Sequence, residues 1–249
     1  MDIVYTIWLR SMKRFIRSKS RIVGSVSVPL FYLVFLGIGL NSVVQIPGIN
    51  GNFIVFLIPG MVTMIILYTS VNSGIQIIWD KMFGFLKETL VAPVSRLEIM
   101  LGQTAGGATT AFLQGVVVLL ILVFFGLTSA GTGGFFIALG FMILIGIAFT
   151  AFGIAIASRM EDLTGYQLII NFVIFPIFGF SGALFPISGL PSFLVPVTLA
   201  DPLTYGVEGI RYGLTGTSQI DPLLCLAVLG GFSAAMTIAG AYLFRTIEP

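Results

Sequence analysis

The sequence contains few side chains of the kinds that perform covalent or metal chemistry. It has no histidine, and its one cysteine, Cys225, lies in an apolar run. A single thiol forms no disulfide framework, and the missing histidine removes the commonest general base. The stretch GQTAGGAT (102–109) has the glycine spacing of a phosphate-binding P-loop, but Ala108 stands where the lysine is required. We therefore predict no catalytic set, no metal site and no nucleotide site in this chain.

Gly102 and Gly106 suit a different purpose. They are four residues apart in an apolar segment, and this small-xxx-small spacing lets two helices approach closely. We interpret the pair as a helix-packing surface.

Uncharged polar side chains form stripes along three apolar segments at spacings that place them on one helix face. The stripes are Thr69, Asn72, Ser73 and Gln76; Gln103, Thr110 and Gln114; and Thr164, Gln167 and Asn171. Such side chains are costly toward lipid and belong against other helices or a wet cavity. Interhelical hydrogen bonding is the favoured interpretation of the middle stripe. For the other two, hydrogen bonding and a shared vestibule stay open, and nearby phenylalanines would give a vestibule an amphipathic lining, namely Phe172, Phe175, Phe178 and Phe180.

Composition shows that lipid is the solvent for much of the chain. Of 249 residues, 57% are hydrophobic and 9% are charged, whereas a soluble domain carries about 25% charged residues. No Asp, Glu, Lys or Arg occurs from 22 to 79 or from 99 to 158. Since a spanning helix needs about 20 mostly apolar residues, each stretch accommodates two spans and a turn. The continuous apolar runs also disfavour a β-barrel, whose strands alternate in polarity.

The predicted fold class is an all-α integral membrane protein with six transmembrane helices in one domain, 1–249. We place the spans at 22–40, 53–79, 101–127, 135–157, 163–185 and 222–244. Residues 1–20 form an amphipathic helix in the headgroup region, with apolar side chains on one face and Arg10, Lys13, Arg14 and Arg17 on much of the other. Its long basic region and the apolar run that follows predict a signal anchor rather than a cleaved signal peptide.

Cationic side chains predict the orientation of these spans. In the six-span arrangement, eleven of the twelve Lys and Arg residues lie on one side of the membrane, and Arg211 lies alone on the other. Because positive charge accumulates in cytoplasmic loops, both termini and the charged loop 80–98 are predicted to be cytoplasmic. The protein is then a multi-pass protein of the plasma or inner membrane, with segment 186–221 facing outward.

The outward segment is interrupted by prolines that forbid one continuous helix, at Pro186, Pro191, Pro196 and Pro202. Residues 204–214 are compatible with a helix, in which Glu208 and Arg211 form an i, i+3 pair. We predict short re-entrant helices at the outer surface between the fifth and sixth spans.

No ionisable side chain lies deep within a predicted span. Ion-coupled carriers usually place such groups near the membrane midplane, so their absence argues against a stand-alone secondary transporter. If the chain moves a substrate uphill, a partner supplies the energy.

Three stretches in this order and spacing resemble conserved segments of type-2 ATP-binding-cassette (ABC) exporter permeases, in particular the branch of drug-resistance and nodulation-factor exporters. The stretches are FLKETLVAPVSRLEIMLGQ (85–103), SGALFPISGLPSFL (181–194) and DPLTYGVEGIRYGLTG (201–216). The resemblance implies an ATP-driven exporter subunit that moves an amphipathic substrate (drug, lipid or glycoconjugate) out of the cytoplasm or inner leaflet. It implies a second permease chain, the same or homologous, and two ABC ATPase subunits that bind ATP and magnesium. No cofactor in this chain and no nucleic-acid partner are expected.

The resemblance also assigns candidate sites. Coupling to the ATPase would fall to Lys87, Glu88, Thr89, Leu90, Pro93, Val94, Ser95 and Arg96. The outer gate would comprise Asp201, Pro202, Tyr205, Glu208 and Arg211. Taken with the stripes, the predicted substrate path comprises Thr69, Asn72, Ser73, Gln76, Thr164, Gln167, Asn171, Phe175 and Phe178.

Two other functions stay open on the sequence. A channel or secondary carrier would transport without any ATPase, and a non-transporting membrane scaffold would use loop 80–98 only as a topological anchor. Purification with or without an ATP-binding subunit separates the exporter from both.

Overall fold

A computed structural model describes residues 2–39, 53–85, 95–124 and 131–245 of the protein. Throughout these residues the regular structure is helical, which confirms the predicted all-α class. The α-helices are α1 (Asp2–Arg17), α2 (Lys19–Tyr32), α3 (Phe53–Asn72), α4 (Ile75–Met82), α5 (Arg96–Phe124), α6 (Thr132–Ser158), α7 (Leu163–Phe180), α8 (Val195–Ala200), α9 (Pro202–Thr215) and α10 (Pro222–Arg245). Helix α2 continues into the π-helical turn Leu33–Ile38, and a 3₁₀ turn, Ile187–Gly189, precedes α8.

Five helical segments within the described residues are long and apolar enough to cross a membrane. They are Phe53–Met82, Arg96–Val123, Thr132–Ser158, Leu163–Phe180 and Pro222–Arg245. The first predicted span corresponds to a shorter apolar helix, Val23–Gly37. The membrane-embedded class is therefore confirmed, while the count of six spans, the re-entrant character of the outer helices and the single domain stay predictions.

The predicted second span is divided into α3 and α4 at Ser73 and Gly74. The Tyr166 hydroxyl of α7 reaches this break and donates a hydrogen bond to the Val71 carbonyl at 2.7 Å. Gly74 sits against the backbone of α6, where a Cβ atom would lie 2.5 Å from the Gly153 carbonyl oxygen. The break thus positions α7 and α6 against the end of α3.

Two predicted boundaries differ from the observed ones. The fifth predicted span corresponds to α7, which ends at Phe180 rather than at 185. The chain turns there through Gly182, whose φ of 71° is costly for residues with a Cβ. The predicted loop 80–98 is partly helical, since α4 runs to Met82 and α5 begins at Arg96.

A capping box explains the start of α5. The Ser95 hydroxyl accepts the Glu98 N–H at 3.2 Å, and the Glu98 carboxylate accepts the Ser95 N–H at 3.1 Å. These reciprocal bonds satisfy two donors that a helix N-terminus otherwise leaves unpaired.

Helices α3 and α6 form the centre of the bundle. Helix α3 packs on α5, α6 and α9, while α6 also packs on α9 and α10. Helix α1 lies on α5, and the contact is made at the predicted glycine pair. A Cβ on Gly102 would meet Ile7 at 2.9 Å, and one on Gly106 would meet Ser11 at 2.6 Å. The packing role of both glycines is thereby confirmed, with α1 as the partner.

Helix α9 is buried rather than exposed at a surface, because it packs against α6 and α10. Its contact with α6 is backbone to backbone. A Cβ on Gly213 would lie 2.6 Å from the Gly134 carbonyl oxygen, and a Cβ on Gly134 would collide with the Gly213 carbonyl.

We expect Gly134→Ala to lower the free energy of unfolding by about 1–3 kcal/mol, because the added methyl group forces α6 and α9 apart. Gly133→Ala is the matched control, since a Cβ there has no neighbour within 4 Å and alanine favours the helix. Thermal unfolding in detergent measures both. Equal melting temperatures for the two variants would contradict the close contact.

Candidate functional site

A cavity of about 1140 Å³ opens among α1, α2, α3, α4, α5 and α7. Seven of the nine predicted path residues line it: Thr69, Asn72, Ser73, Gln76, Asn171, Phe175 and Phe178. Thr164 and Gln167 are exposed on α7 and do not belong to its described lining. The structure thus brings the stripes of α3–α4 and α7 to one chamber, and the transport role of these side chains stays a prediction.

Hydrogen bonds between helices organise the polar wall of this cavity. The Thr69 hydroxyl donates to the Gln114 side-chain oxygen across α3 and α5. The Tyr68 hydroxyl donates to the Asn171 side-chain oxygen at 3.2 Å and so joins α3 to α7. The Asn72 amide donates to the Tyr68 carbonyl at 2.7 Å. Interhelical hydrogen bonding is therefore found in the α5 stripe, as predicted, but Gln114 also faces the cavity.

A buried carboxylate, Asp80, forms part of the cavity lining where α1, α4 and α5 meet. Arg10 of α1 donates to Asp80 Oδ2 at 2.6 Å, and Gln76, one helical turn earlier on α4, donates to Oδ1 at 2.7 Å. Gln103 of α5 is a third donor at 3.4 Å. A buried charge is costly unless it is paired and hydrogen-bonded, and Asp80 has both kinds of partner. This network ties three helices together at one end of the cavity.

The rest of the cavity lining is largely apolar and aromatic. It includes Val28 and Pro29 of α2, Phe175 of α7, and Trp79, whose ring stacks on Phe83 at a centroid distance of 5.2 Å. A chamber lined by both polar and aromatic side chains suits a ligand that is itself amphipathic.

Sequence reasoning missed several lining residues. The sequence places Asp80 at the start of the charged loop. Its spacing of four residues from Gln76 is the signal that the two side chains share one face of a helix. Tyr32, Tyr68 and Trp79 carry no signal of their own, because an aromatic residue in an apolar run looks the same whether it faces lipid or a cavity.

The predicted coupling residues 87–94 lie outside the described residues, so their role stays a prediction. Ser95 caps α5, as described above, and the Arg96 guanidinium donates to the Arg245 carbonyl at the end of α10. Ser95 and Arg96 therefore both have structural contacts within the chain.

The predicted outer-gate residues are built into the start and centre of α9. Asp201 Oδ1 accepts the Leu203 N–H at 2.9 Å as an N-cap, Pro202 is the first helical residue, and the Tyr205 hydroxyl donates to the Leu199 carbonyl at 2.8 Å. Their assignment to a gate stays a prediction.

The Glu208–Arg211 ion pair was predicted at the outer surface but is buried, with Glu208 fully inaccessible. Arg211 also donates to the Gly182 carbonyl at 3.0 Å and lies over the Phe56 ring of α3 at 4.2 Å. Glu208 accepts the Gln219 N–H at 2.6 Å. The pair thus joins α9 to α3, to the turn after α7 and to the segment before α10.

Within the described part of the chain, no three His, Cys, Asp or Glu side chains come together in an arrangement that would hold a metal ion. The described side chains of the cavity accept and donate hydrogen bonds. The arrangement can bind and enclose a ligand.

Helices of spanning length around a chamber with polar and aromatic walls are typical of a membrane transport protein. Residues 3–215 match the ABC-2 type transporter family, so the chain belongs to that family of membrane permeases.

Several curated relatives agree with this membership. Nodulation protein J of Rhizobium meliloti is 30% identical over 240 residues, covering 92% of this chain and 87% of that protein. The transport permease ycf38 of Cyanophora paradoxa is 29% identical over 203 residues, covering 80% and 70%. The inner membrane transport permease YadH of Escherichia coli K12 is 23% identical over 233 residues, covering 92% and 90%.

We expect a cysteine in place of Asn72 to react with a water-soluble maleimide, because this side chain lines the cavity. Ser70→Cys is the matched control, since Ser70 is fully buried two residues earlier on the same helix. Both changes are made in a Cys225→Ala background, which removes the native thiol. Equal labelling at the two positions would show that the cavity is not open to water.

Burial raises the pKa of the Asp201 carboxyl to about 7, and the hydrogen bond from the Leu203 N–H opposes part of this rise. Between its ordinary pKa of about 3.9 and about 7, the folded protein binds the proton more tightly than the unfolded chain. The stabilisation that comes from this bound proton is fully present below about pH 3.9. It is lost as the pH rises through the folded pKa of about 7.

The melting temperature is therefore expected to fall from about pH 4 to about pH 7 and to level off above that, and Asp201→Asn should flatten this dependence. Asparagine still caps the helix, so the cap itself is preserved. Asp221→Asn is the control, because Asp221 caps α10 in the same manner but is exposed. An Asp201→Asn variant with an unaltered pH dependence would show that this carboxyl does not titrate there.

Proposed function

We propose that the chain is the transmembrane subunit of an ATP-driven exporter that moves an amphipathic substrate out of the cytoplasm or the inner leaflet. The observation that supports this most directly is the cavity of about 1140 Å³, whose lining combines polar residues of α3, α4 and α5 with aromatic residues of α4 and α7. A volume of this size suits a drug-sized ligand or part of a larger one.

The substrate is a drug, a lipid or a glycoconjugate. Amide and hydroxyl groups on Asn72, Gln76 and Thr110 offer hydrogen bonds to a polar head, and Trp79 and Phe175 offer apolar surface to a ring or chain. The sole carboxylate in the described lining, Asp80, is already paired with Arg10. The chamber therefore favours a head group that is recognised through hydrogen bonds rather than through a strong positive charge.

Two ABC ATPase subunits, which bind ATP and magnesium, supply the energy. The sequence has no P-loop of its own, since Ala108 replaces the required lysine. The charged loop 80–98 docks on these subunits and transmits their closure. Because α4 leads directly from the cavity into this loop, a movement of the loop reaches Gln76 and Asp80 through a single short helix.

A second permease chain, the same or homologous, covers α7. This helix carries large exposed apolar side chains, with Leu168 68%, Phe172 81% and Phe175 79% accessible. Phe175 also lines the cavity. A partner packed on this helix would hide that apolar surface and enclose the chamber on its open side.

Both termini and loop 80–98 face the cytoplasm in this proposal. Three contacts support this sidedness: Arg10 of α1 pairs with Asp80, Lys81 donates to the Ser158 carbonyl at the end of α6, and Arg96 donates to the Arg245 carbonyl at the end of α10. These cations then lie on one side, in agreement with the positive-inside rule. Asp201 and α9 then lie toward the outer leaflet.

We expect Glu88→Ala to uncouple the exporter, so that ATP hydrolysis by the assembled complex no longer drives substrate release into the medium. Arg96→Glu should act in the same direction, but its contact with α10 makes a melting-temperature measurement necessary beside it. Lys19→Glu, an exposed charge reversal at the start of α2, is the control. Transport and ATPase stimulation are measured in vesicles that contain the permease and its copurified ATPase.

Each outcome separates the candidate functions. Transport by the permease alone, without an ATP-binding subunit, would identify a channel or secondary carrier. Copurification of no ATPase and absence of transport would favour a scaffold. Normal coupling in the Glu88→Ala and Arg96→Glu variants would remove loop 80–98 from the mechanism.

A further inference from the structure

A second concavity, of about 510 Å³, lies on α1 away from its contact with α5. The described residues that line it recur on one helix face at spacings of three and four: Thr6, Leu9, Arg10, Lys13, Arg14, Arg17 and Ser18. Neither the substrate path nor the coupling loop accounts for it.

The lining of this concavity is strongly cationic. Four of its side chains are Arg or Lys, within eight consecutive positions, and its described lining contains no carboxylate. Lys13 and Arg17 are exposed, whereas Arg10 pairs with Asp80. Arginine guanidinium groups match the oxygen atoms of a phosphate in geometry as well as in charge. Charge complementarity therefore points to a phosphate-bearing anion.

The surroundings of the concavity favour a lipid as the source of that phosphate. Two large apolar side chains of the same helix are exposed beside the cations, with Tyr5 59% and Ile16 68% accessible. Helix α1 is seated on Gly102 and Gly106 near the start of a spanning helix, and it leads directly into the apolar α2. Exposed apolar and basic groups side by side on one helix suit the boundary between headgroups and acyl chains.

We propose that Arg10, Lys13 and Arg17 of this concavity bind the headgroup phosphate of an anionic phospholipid, and that occupancy of the concavity is linked to the state of the substrate cavity. The link has two parts. Arg14 lines both the concavity and the cavity, and Arg10 joins the concavity to Asp80 at 2.6 Å. A phosphate that attracts Arg10 competes with Asp80 and loosens the network that ties α1 to α4 and α5.

The tryptophans of the chain report lipid next to α1. Trp79→Phe leaves Trp8, which lies on the α5-facing side of α1 and donates its indole N–H to the Thr109 hydroxyl at 3.1 Å. Quenching of Trp8 measures which lipid is enriched around this helix, and charge variants assign that lipid to the concavity. The Trp79→Phe variant is reconstituted in vesicles of phosphatidylcholine with a minority of tail-brominated phosphatidylglycerol, and in the reciprocal mixture with the bromine on phosphatidylcholine. We expect stronger quenching of Trp8 when the anionic lipid carries the bromine. Equal quenching in the two mixtures would overturn the proposal.

Charge variants test the assigned side chains. Lys13→Gln and Arg17→Gln should each reduce the preference for phosphatidylglycerol about fivefold, as expected for a cation near an anionic surface. Lys19→Gln is the matched control, because Lys19 is exposed nearby but does not belong to the described lining. An equal loss in all three variants would show only a diffuse attraction of the helix to the membrane and would overturn the specific site. Loss of the preference on addition of inorganic phosphate would assign the site to a soluble anion instead of a lipid.

Two measurements test the link to the cavity. Asp80→Asn releases Arg10 from its pair and should shift half-maximal quenching to a lower fraction of phosphatidylglycerol, whereas Arg10→Gln should shift it to a higher fraction. Independently, maleimide labelling of Asn72→Cys with native Arg10 and Asp80 should be faster in vesicles with phosphatidylglycerol than in phosphatidylcholine alone. Unchanged labelling would overturn the link even if binding is found. If removal of the copurified ATPase abolishes the lipid preference, the basic face binds that protein rather than lipid.

Discussion

The structure depends on one constraint, namely that polar groups surrounded by lipid must find their partners inside the protein. In water an unpaired hydroxyl or amide is solvated, whereas in hydrocarbon it costs several kcal/mol. The Thr69–Gln114 and Tyr68–Asn171 contacts meet this requirement between helices, and Asp80 meets it with donors from three helices. The side chains that stabilise the bundle are for this reason the same ones that line its cavity.

Close backbone contact determines where these polar groups meet. Lipid provides little hydrophobic drive for one spanning helix to join another, so small residues at the interfaces contribute much of the packing. Gly102 allows α1 to pack closely on α5, and Gly134 allows α9 to pack closely on α6. Gly74 allows the backbone of α6 to contact the break between α3 and α4. With the break fixed by Tyr166, the polar stripe continues from Thr69 on α3 to Gln76 on α4 and faces one chamber.

The sequence was sufficient for the helices and for most polar positions of the cavity, because spanning length and helical periodicity are local properties. It was insufficient for properties that depend on which helices are neighbours. Thr164 and Gln167 continue the Asn171 stripe in sequence, yet they are exposed and do not belong to the described lining of the chamber. Arg211 looked like a surface residue because its pairing with Glu208 is local, while its contacts with Gly182 and Phe56 are distant in sequence. The break at Gly74 likewise requires a tyrosine almost one hundred residues away.

The two ion pairs of the described bundle differ in how readily they can separate. The Arg10 side chain is 38% accessible, so water or another anion can replace Asp80 as its partner, whereas the Asp80 side chain is only 9% accessible. The Arg211 side chain is 6% accessible and Glu208 is inaccessible, and breaking such a buried pair costs about 3–5 kcal/mol. Helix α9 with its contacts to α3 and to the turn after α7 is therefore held as one unit. Helix α1 can change its contact with α4 at a smaller cost, because Asp80 keeps its hydrogen bonds from Gln76 and Gln103. From this asymmetry we infer that rearrangement around the cavity begins at the α1 end, where Asp80 already lies next to the substrate chamber.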